Sequence, residues 1–303
     1  MTDKPNIRVA VVGYGNIGRF AVETLLLTPD MELAGVVRRG AKPLPEGEFP
    51  GVPVVASVDE LGHVDVAILA VPTRKVEEFA LPLLQKGIAT VDSFDIHTQI
   101  LALHRSLGQA AAQHNTVAVL SAGWDPGSDS VVRMLYQALL PQGITYTNFG
   151  PGMSMGHTVA AKAIPGVEKA LSMTIPLGTG IHRRMVYIQP QAGADTKEIE
   201  RLLLADEYFA HDESHVVFVP NVDDLIDMGH GVEMTRKGRS GATHNQMLSF
   251  SMRINNPALT AQVMVCAARA AMRQERKGAY ILPEIPVIDL LPGGRDEWID
   301  TLC

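Results

Sequence analysis

Three aspartates sit where apolar runs end, and their placement suggests proton chemistry. Asp92 and Asp95 lie in TVDSFDIH, around the end of the run Ala89–Asp92; Asp125 lies in SAGWDPG, after Thr116–Ser121. A carboxylate at such an exit can take a proton from a bound group, or orient a water that does. An amine must lose a proton before it can lose hydride, so these acids suit a substrate bearing an ammonium group. Ser93 and Asp95 also have helix-capping chemistry, and Asp125 before Pro126 that of a turn residue. The residue types alone leave both uses open. Trp124 between two glycines is unusual for a plain core aromatic.

A hydride needs an acceptor, and VAVVGYGNIGR offers the cradle for one. Gly13, Gly15 and Gly18 form a GxGxxG pattern that leaves a strand and opens a helix. Such glycines permit the tight turn, the close approach of a pyrophosphate and close helix–strand packing. The helix N-terminus then presents free N–H groups to phosphate. An NAD site usually carries an acid about 20 residues further on; here the chain reads GVVRRG. Arg38 and Arg39 would bind a 2′-phosphate that a carboxylate would repel, so the expected cofactor is NADP. AVPT, residues 70–73, ends the apolar run Val64–Val71, and Pro72 and Thr73 are expected at the sheet's carboxyl edge as cofactor contacts.

The second half holds scattered polar candidates. NFGPGMSMGH contains Phe149, Met155 and three glycines, Gly150, Gly152 and Gly156, that suggest main chain passing close to a ligand. TIPLGTGIHRR offers Thr174, His182, Arg183 and Arg184; IDMGHG offers His230; INNPA offers Asn256. Together an arginine, a threonine, a histidine and an asparagine could hold a carboxylate and an amine. Taken singly, each is an ordinary surface or capping residue, and spacing does not show that they converge.

The elements that must position these residues read as two domains. Strands are expected at Ile7–Val12, Met31–Val37, Val64–Val71, Ala89–Asp92 and Thr116–Ser121, with helices at Ile17–Leu27, Val76–Lys86 and Ile96–Asn115. This βαβ alternation predicts a doubly wound parallel sheet over residues 1–121. Residues 122–274 read as an α+β domain with an open mixed sheet: a helix over Ser128–Leu140, capped by Ser128 or Asp129, strands at Ile144–Phe149, Met185–Gln189 and Val216–Val219, and an alternating strand in which Gln246, Leu248, Phe250, Met252 and Ile254 share a face. Asn256-Pro257 starts a helix to about Gln274. The tail, about 275–303, is expected to pack back on the first domain. The 303 residues are 46% hydrophobic and 19% charged, with a net charge of −7, which argues against a general nucleic-acid or membrane-surface role. Cys266 and Cys303 are the only cysteines and stand in no metal-like spacing; no metal is expected, and a reducing compartment is. No signal peptide or membrane span is visible, so a cytoplasmic enzyme is expected.

VAVVGYGNIGR, VVRR, VDSFDIH, SAGWDPGSDS, FGPGMSMGH, ALSMTIP, MGHG and NNPALTAQ together resemble the meso-diaminopimelate D-dehydrogenase family over essentially the whole chain. The resemblance implies a Rossmann-type domain and NADP-dependent oxidative deamination at the D-centre of meso-2,6-diaminopimelate, running in reverse to feed lysine and cell-wall synthesis. It implies that Asp95 and Asp125 face the reacting amine, that Trp124, Phe149, Met155 and Gly156 line the substrate, that Thr174, Arg184 and His230 clamp the distal carboxylate, and that Asn256 meets the distal amine. It places the cofactor against Gly13, Tyr14, Gly15, Asn16, Ile17, Gly18, Arg38, Arg39, Ala70, Val71, Pro72, Thr73, Ser93, Phe94, Ala122, Gly123 and Pro126, and implies a homo-oligomer, at least a dimer. On this resemblance, the glycines of SAGWDPG let main chain run against both ligands. One departure stands out: only IPLGTGIHR separates Thr174 from Arg184, where longer members carry an extra segment. The shorter form includes enzymes that aminate other 2-oxo acids to D-amino acids. The rival readings are another NADPH-dependent reductase or amino-acid dehydrogenase of similar architecture, and a non-catalytic NADP sensor.

Overall fold

The computed structural model describes residues 6–226 and 229–303; Met228 of the MGHG motif lies outside the described residues. In chain order the elements are β1 (Ile7–Val12), α1 (Asn16–Leu26), β2 (Met31–Val37), β3 (Val54–Val55), β4 (Val66–Leu69), α2 (Val76–Gln85), β5 (Ala89–Asp92), α3 (Ile100–Gln113), β6 (Val117–Leu120) and α4 (Ser128–Leu139). There follow β7 (Gln142–Phe149), β8 (Gly152–Met153), α5 (Met155–Lys162), β9 (Val167–Gly178), β10 (Ile181–Pro190), α6 (Thr196–Ala205), β11 (Glu213–Phe218), β12 (Gly229–Ser240) and β13 (Thr243–Asn255). The chain closes with α7 (Asn256–Ala271), β14 (Gly278–Ile281) and α8 (Arg295–Leu302).

Two compact units emerge. The first comprises residues 1–131 and 257–303, the second 132–256. These boundaries differ from the expected 122 and 274. The first turn of α4 belongs to the first unit, and so does nearly all of α7, which the sequence reading placed in the second. The reason is burial: α7 supplies Ala261, Met264, Val265 and Ala268 to the core on one face of the first unit's sheet.

That sheet has seven strands in the order β14-β6-β5-β4-β1-β2-β3, all parallel neighbours. Side chains alternate between its faces, as the strand period requires. Val9, Val11, Val66 and Ile68 pack with α1 and α7. Ala10, Val12, Ala67 and Leu69 pack with α2 and α3. Both faces are therefore covered, which explains why these strands read as continuous apolar runs. Because every strand is parallel, all carboxyl ends lie along one edge of the sheet, where ligands bind in open α/β folds.

The second unit holds two sheets rather than one. A four-stranded mixed sheet runs β11-β10-β9-β8, with β10 and β11 parallel; a three-stranded antiparallel sheet runs β13-β12-β7. Helices α5 and α6 cover one face of the first through Ala161, Ile199 and Leu203, against Val167, Ala170, Val186 and Ile188. In the second, the buried Arg236 guanidinium donates to the Leu140 carbonyl at 2.7 Å, just past α4, and so satisfies a helix-end acceptor. The expected apolar face of β13, from Gln246 to Ile254, is only half-buried.

Candidate functional site

In the first unit, five strand exits carry the candidate residues. β1 leads to residues 13–18, β2 to Arg38 and Arg39, β4 to residues 70–73, β5 to residues 93–95 and β6 to residues 121–127. Gly13 has φ +95°, and a Cβ there would overlap the Ala70 carbonyl; a Cβ on Gly18 would overlap the Gly13 carbonyl. Those two glycines let the turn close. Gly15 is different: its free side faces open space, with nothing within 4 Å of where a Cβ would stand. Gly15 is also the cap residue of α1, whose first turn has no side-chain cap and no acidic residue. Its N–H groups are thus left for an anion, and this cradle fits a pyrophosphate. Arg39 is exposed, while Arg38 donates to the Pro43 carbonyl at 3.0 Å and lies 5.6 Å over the Tyr14 ring. Tyr14 in turn donates to Glu48 at 2.5 Å; burial first, and that bond second, raise its pKa.

The exits are tied to one another. Thr73 Oγ1 accepts the Asp95 backbone N–H at 3.2 Å, linking β4's exit to β5's. Neither Ser93 nor Asp95 caps the helical turn that follows, which starts after Ile96 without a side-chain cap. Asp95 keeps one buried carboxyl oxygen without a partner, and desolvation raises its pKa. SAGWDPG folds back on itself: the Gly123 N–H donates to the Pro126 carbonyl at 3.1 Å, and the Ser128 and Asp129 N–H groups donate to the Gly123 and Trp124 carbonyls. Gly127 has φ +148°, and a Cβ on it would overlap Gly123. Gly127 therefore serves the loop's own closure, whereas a Cβ on Gly123 would come no closer than 3.3 Å to the Pro126 carbonyl. Trp124 is buried and Asp125 half-buried.

Asp92, the first of the three candidate acids, holds these loops together. It is fully buried at the end of β5. Its Oδ1 accepts the N–H of Phe94 at 2.9 Å and of Ser121 at 3.1 Å, joining the loop of Asp95 to the loop of Asp125. Its Oδ2 is buried without a partner. Burial, partly offset by the two N–H groups, raises its pKa from the ordinary 3.8 to about 7. Between those values the folded protein keeps a proton that the unfolded chain has lost. The stability this contributes is complete below pH 3.8 and lost as the pH rises through 7, by up to ~1.4 kcal/mol per pH unit. Asp92→Asn, which does not titrate, should remove that dependence. Thermal melts from pH 4.5 to 8 should then show wild type losing ground to the variant as the pH rises; parallel curves would refute it.

In the second unit, pairing explains how distant residues meet. Arg184 on β10 stands opposite Thr174 on β9, and Val186 and Ile188 continue the same face of β10 into the core beneath α5 and α6. The hairpin turns at Thr179 and Gly180, both with positive φ, so no further segment intervenes. Arg184 donates from Nη1 to the buried Thr174 hydroxyl and from Nε to Asp212, at 2.6 Å in the latter bond. His157, His182 and His230 lie within the electrostatic reach of that guanidinium; burial first, and Arg184 in part, lower all three pKa values, that of His157 to about 3. His182 Nε2 accepts the Phe149 N–H at 2.7 Å, and Ser154 Oγ meets His157 Nδ1 at 2.8 Å. Met155 and Gly156 form the first turn of α5, and buried Asn256 donates to the Met153 carbonyl at 3.4 Å.

Arg184 and Thr174 are thus bonded to each other, and His230 lies within electrostatic reach of the guanidinium. Gly150 and Gly152 are required by close chain packing. A Cβ on Gly150 would overlap the Thr174 carbonyl, and one on Gly152 the backbone of Gly229 and His230. They permit close stacking of the chains that carry the clamp residues. Asp212 and His157 were missed. Asp212 directly precedes β11 and is 28 positions from its partner, so no local pattern marks it. His157 closes the quoted GPGMSMGH motif, which was its one visible signal.

Comparison with known proteins places the first changeover between residues 120 and 123, near the expected 122, and the second at 256, as in the structure. Residues 7–120 match the oxidoreductase family with an NAD-binding Rossmann fold, and residues 123–256 match the diaminopimelic acid dehydrogenase C-terminal domain. A meso-diaminopimelate D-dehydrogenase of Bacteroides fragilis is 60% identical over 98% of this chain and 99% of its own. The C. glutamicum DAP dehydrogenase in complex with DAP superposes with a TM-score of 0.90 at 30% identity, over 99% of this chain and all of the other. An engineered D-amino acid dehydrogenase bound to NADP+ gives 0.89 at 30% identity, over 98% of this chain and all of the other. With the expected motifs in place and relatives matching from end to end, the chain belongs to the meso-diaminopimelate D-dehydrogenase family.

Proposed function

We propose that this protein catalyses the reversible oxidative deamination of meso-2,6-diaminopimelate at its D-centre. With water and NADP⁺, the products are L-2-amino-6-oxopimelate, which cyclises to tetrahydrodipicolinate, ammonia, NADPH and a proton; the reverse direction serves lysine and cell-wall synthesis. NADP⁺, when bound, supplies the hydride acceptor. Gly13 to Gly18 and the start of α1 hold its pyrophosphate, and Arg38 and Arg39 take its 2′-phosphate. Residues 70–73, Ser93, Phe94, Ala122, Gly123 and Pro126 line its further length.

Asp95 and Asp125 serve the D-centre ammonium as proton acceptors, directly or through water. The raised pKa of Asp95 brings it nearer the operating pH, which favours such a role. Trp124, Phe149, Met155 and Gly156 line the substrate, and Asn256 meets the distal amine. The observation that carries the substrate reading is the meeting of Arg184, buried Thr174 and His230: a fork of donors suited to a carboxylate. Reading both ends of a nearly symmetric molecule gives stereochemical choice, because a wrong isomer leaves polar groups unpaired. The half-buried apolar face of β13 supports self-association, at least into a dimer. The expected setting is the cytoplasm.

The test is absorbance of the reduced nicotinamide with each diaminopimelate stereoisomer, and with NADP⁺ or NAD⁺. Turnover of the meso isomer with NADP⁺ is expected, with little for the LL isomer. Absence of meso turnover despite NADPH binding would overturn the reading in favour of a sensor or another reductase.

A further inference from the structure

Arg184 is the guanidinium proposed to clamp the substrate's distal carboxylate, yet it already has an anion. Asp212 Oδ2 accepts from Arg184 Nε at 2.6 Å, and the side chains are only 15% and 31% exposed, respectively. Asp212 is itself held at the start of β11, since its N–H donates to the Phe209 carbonyl and its carbonyl accepts from the Ser214 hydroxyl. Ser214 stands beside Arg184 in the parallel pairing of β10 with β11, so the strand register fixes the ion pair.

A guanidinium has five N–H donors. Asp212 uses the one on Nε and Thr174 one on Nη1, which leaves three, on Nη1 and Nη2, for a ligand's carboxylate. The carboxylate is therefore not displaced by Asp212; the two share the group. The consequence appears when the ligand brings no carboxylate. A guanidinium this enclosed without a counter-ion is strongly disfavoured, and a site that depends on the ligand for that counter-ion rejects ligands lacking it. With Asp212 in place the cation stays neutralised.

Resting on the function proposed above, we infer that Asp212 is a specificity-determining residue: a resident counter-ion that admits D-amino acids whose side chain ends without a carboxylate. D-Norleucine is the matched probe, having a six-carbon chain with an apolar end. The deciding quantity is the ratio of kcat/KM for meso-diaminopimelate to that for D-norleucine. Asp212→Asn keeps an acceptor for Nε but removes the charge, and should raise that ratio at least ~10-fold, by losing D-norleucine more than diaminopimelate. Asp212→Glu keeps the charge and should restore a ratio within about threefold of wild type. A merely structural Asp212 would lower both activities together and leave the ratio unchanged, which would overturn the inference. So would failure of D-norleucine to react with the wild-type enzyme or to inhibit its turnover of diaminopimelate. Absence of wild-type turnover of diaminopimelate itself would instead count against the proposed reaction, which separates the two failures.

Discussion

Asp95→Asn is expected to lower kcat for meso-diaminopimelate by ~10²–10⁴-fold, while the dissociation constant of NADPH changes by less than about threefold. Asparagine matches aspartate in shape and keeps one oxygen, but it cannot accept the amine's proton. Asp95 is the stronger candidate for that step, because it is mostly enclosed and one carboxyl oxygen has no protein partner. Desolvation lifts its pKa despite the opposing Thr73 hydroxyl, so its conjugate acid forms more readily near neutrality. The pH dependence of kcat/KM should therefore have an acid-side limb in the wild type that is absent in the variant. Asp125→Asn should lower kcat as well, since Asp125 sits on the neighbouring exit and Asp92 joins the two loops. A variant at Asp95 that keeps more than a tenth of wild-type kcat would remove it from the proton step.

Gly127→Ala is expected to cost ~4 kcal/mol or more, seen as a thermal midpoint roughly 10 °C lower or as insoluble protein. No side-chain adjustment relieves the clash, because the atom in the way is backbone of Gly123, and φ of +148° is itself foreign to alanine. Gly15→Ala makes the contrasting case. Its φ is −98°, and the new methyl would stand in open space, so the midpoint should move by less than about 2 °C. The methyl would, however, enter the space assigned to pyrophosphate, and NADPH affinity should fall at least ~10-fold by fluorescence titration. Equal thermal losses in the two variants would contradict the distinction between a glycine that closes a loop and one that leaves room for a ligand.

Where local pattern governs, sequence and structure agree closely. Ile7–Val12, Met31–Val37 and Ala89–Asp92 have the expected bounds because each is an apolar run stopped by glycine, charge or a turn. The Gly13–Gly18 fingerprint was legible for the same reason. What escaped the sequence depends on partners far along the chain. β14 is an edge strand through pairing with β6, at a separation that no window spans, and α7 joins the first unit through burial rather than through any feature of its own sequence. The two sheets of the second unit could not be told from one by alternation alone. Glycine posed the subtler problem: at positions 123, 127, 150 and 152 its presence was legible, but whether it admits a ligand or another strand was not. Of the clamp, Arg184 and Thr174 were named, whereas the acid that balances the arginine lies on another strand's threshold.

The discontinuity of the first unit bears on how the protein is made. Its parallel sheet cannot be completed when residue 131 leaves the ribosome, because the covering helix α7 and β14 are encoded from residue 256 onward. At ~5–20 residues per second, translation of the intervening stretch takes roughly 10 s. Throughout that interval β6 stands as an unprotected sheet edge beside an uncovered apolar face. The second unit, contiguous in the chain, can finish folding first, and the first unit's sheet is completed last, when the C-terminal strand emerges and closes the edge.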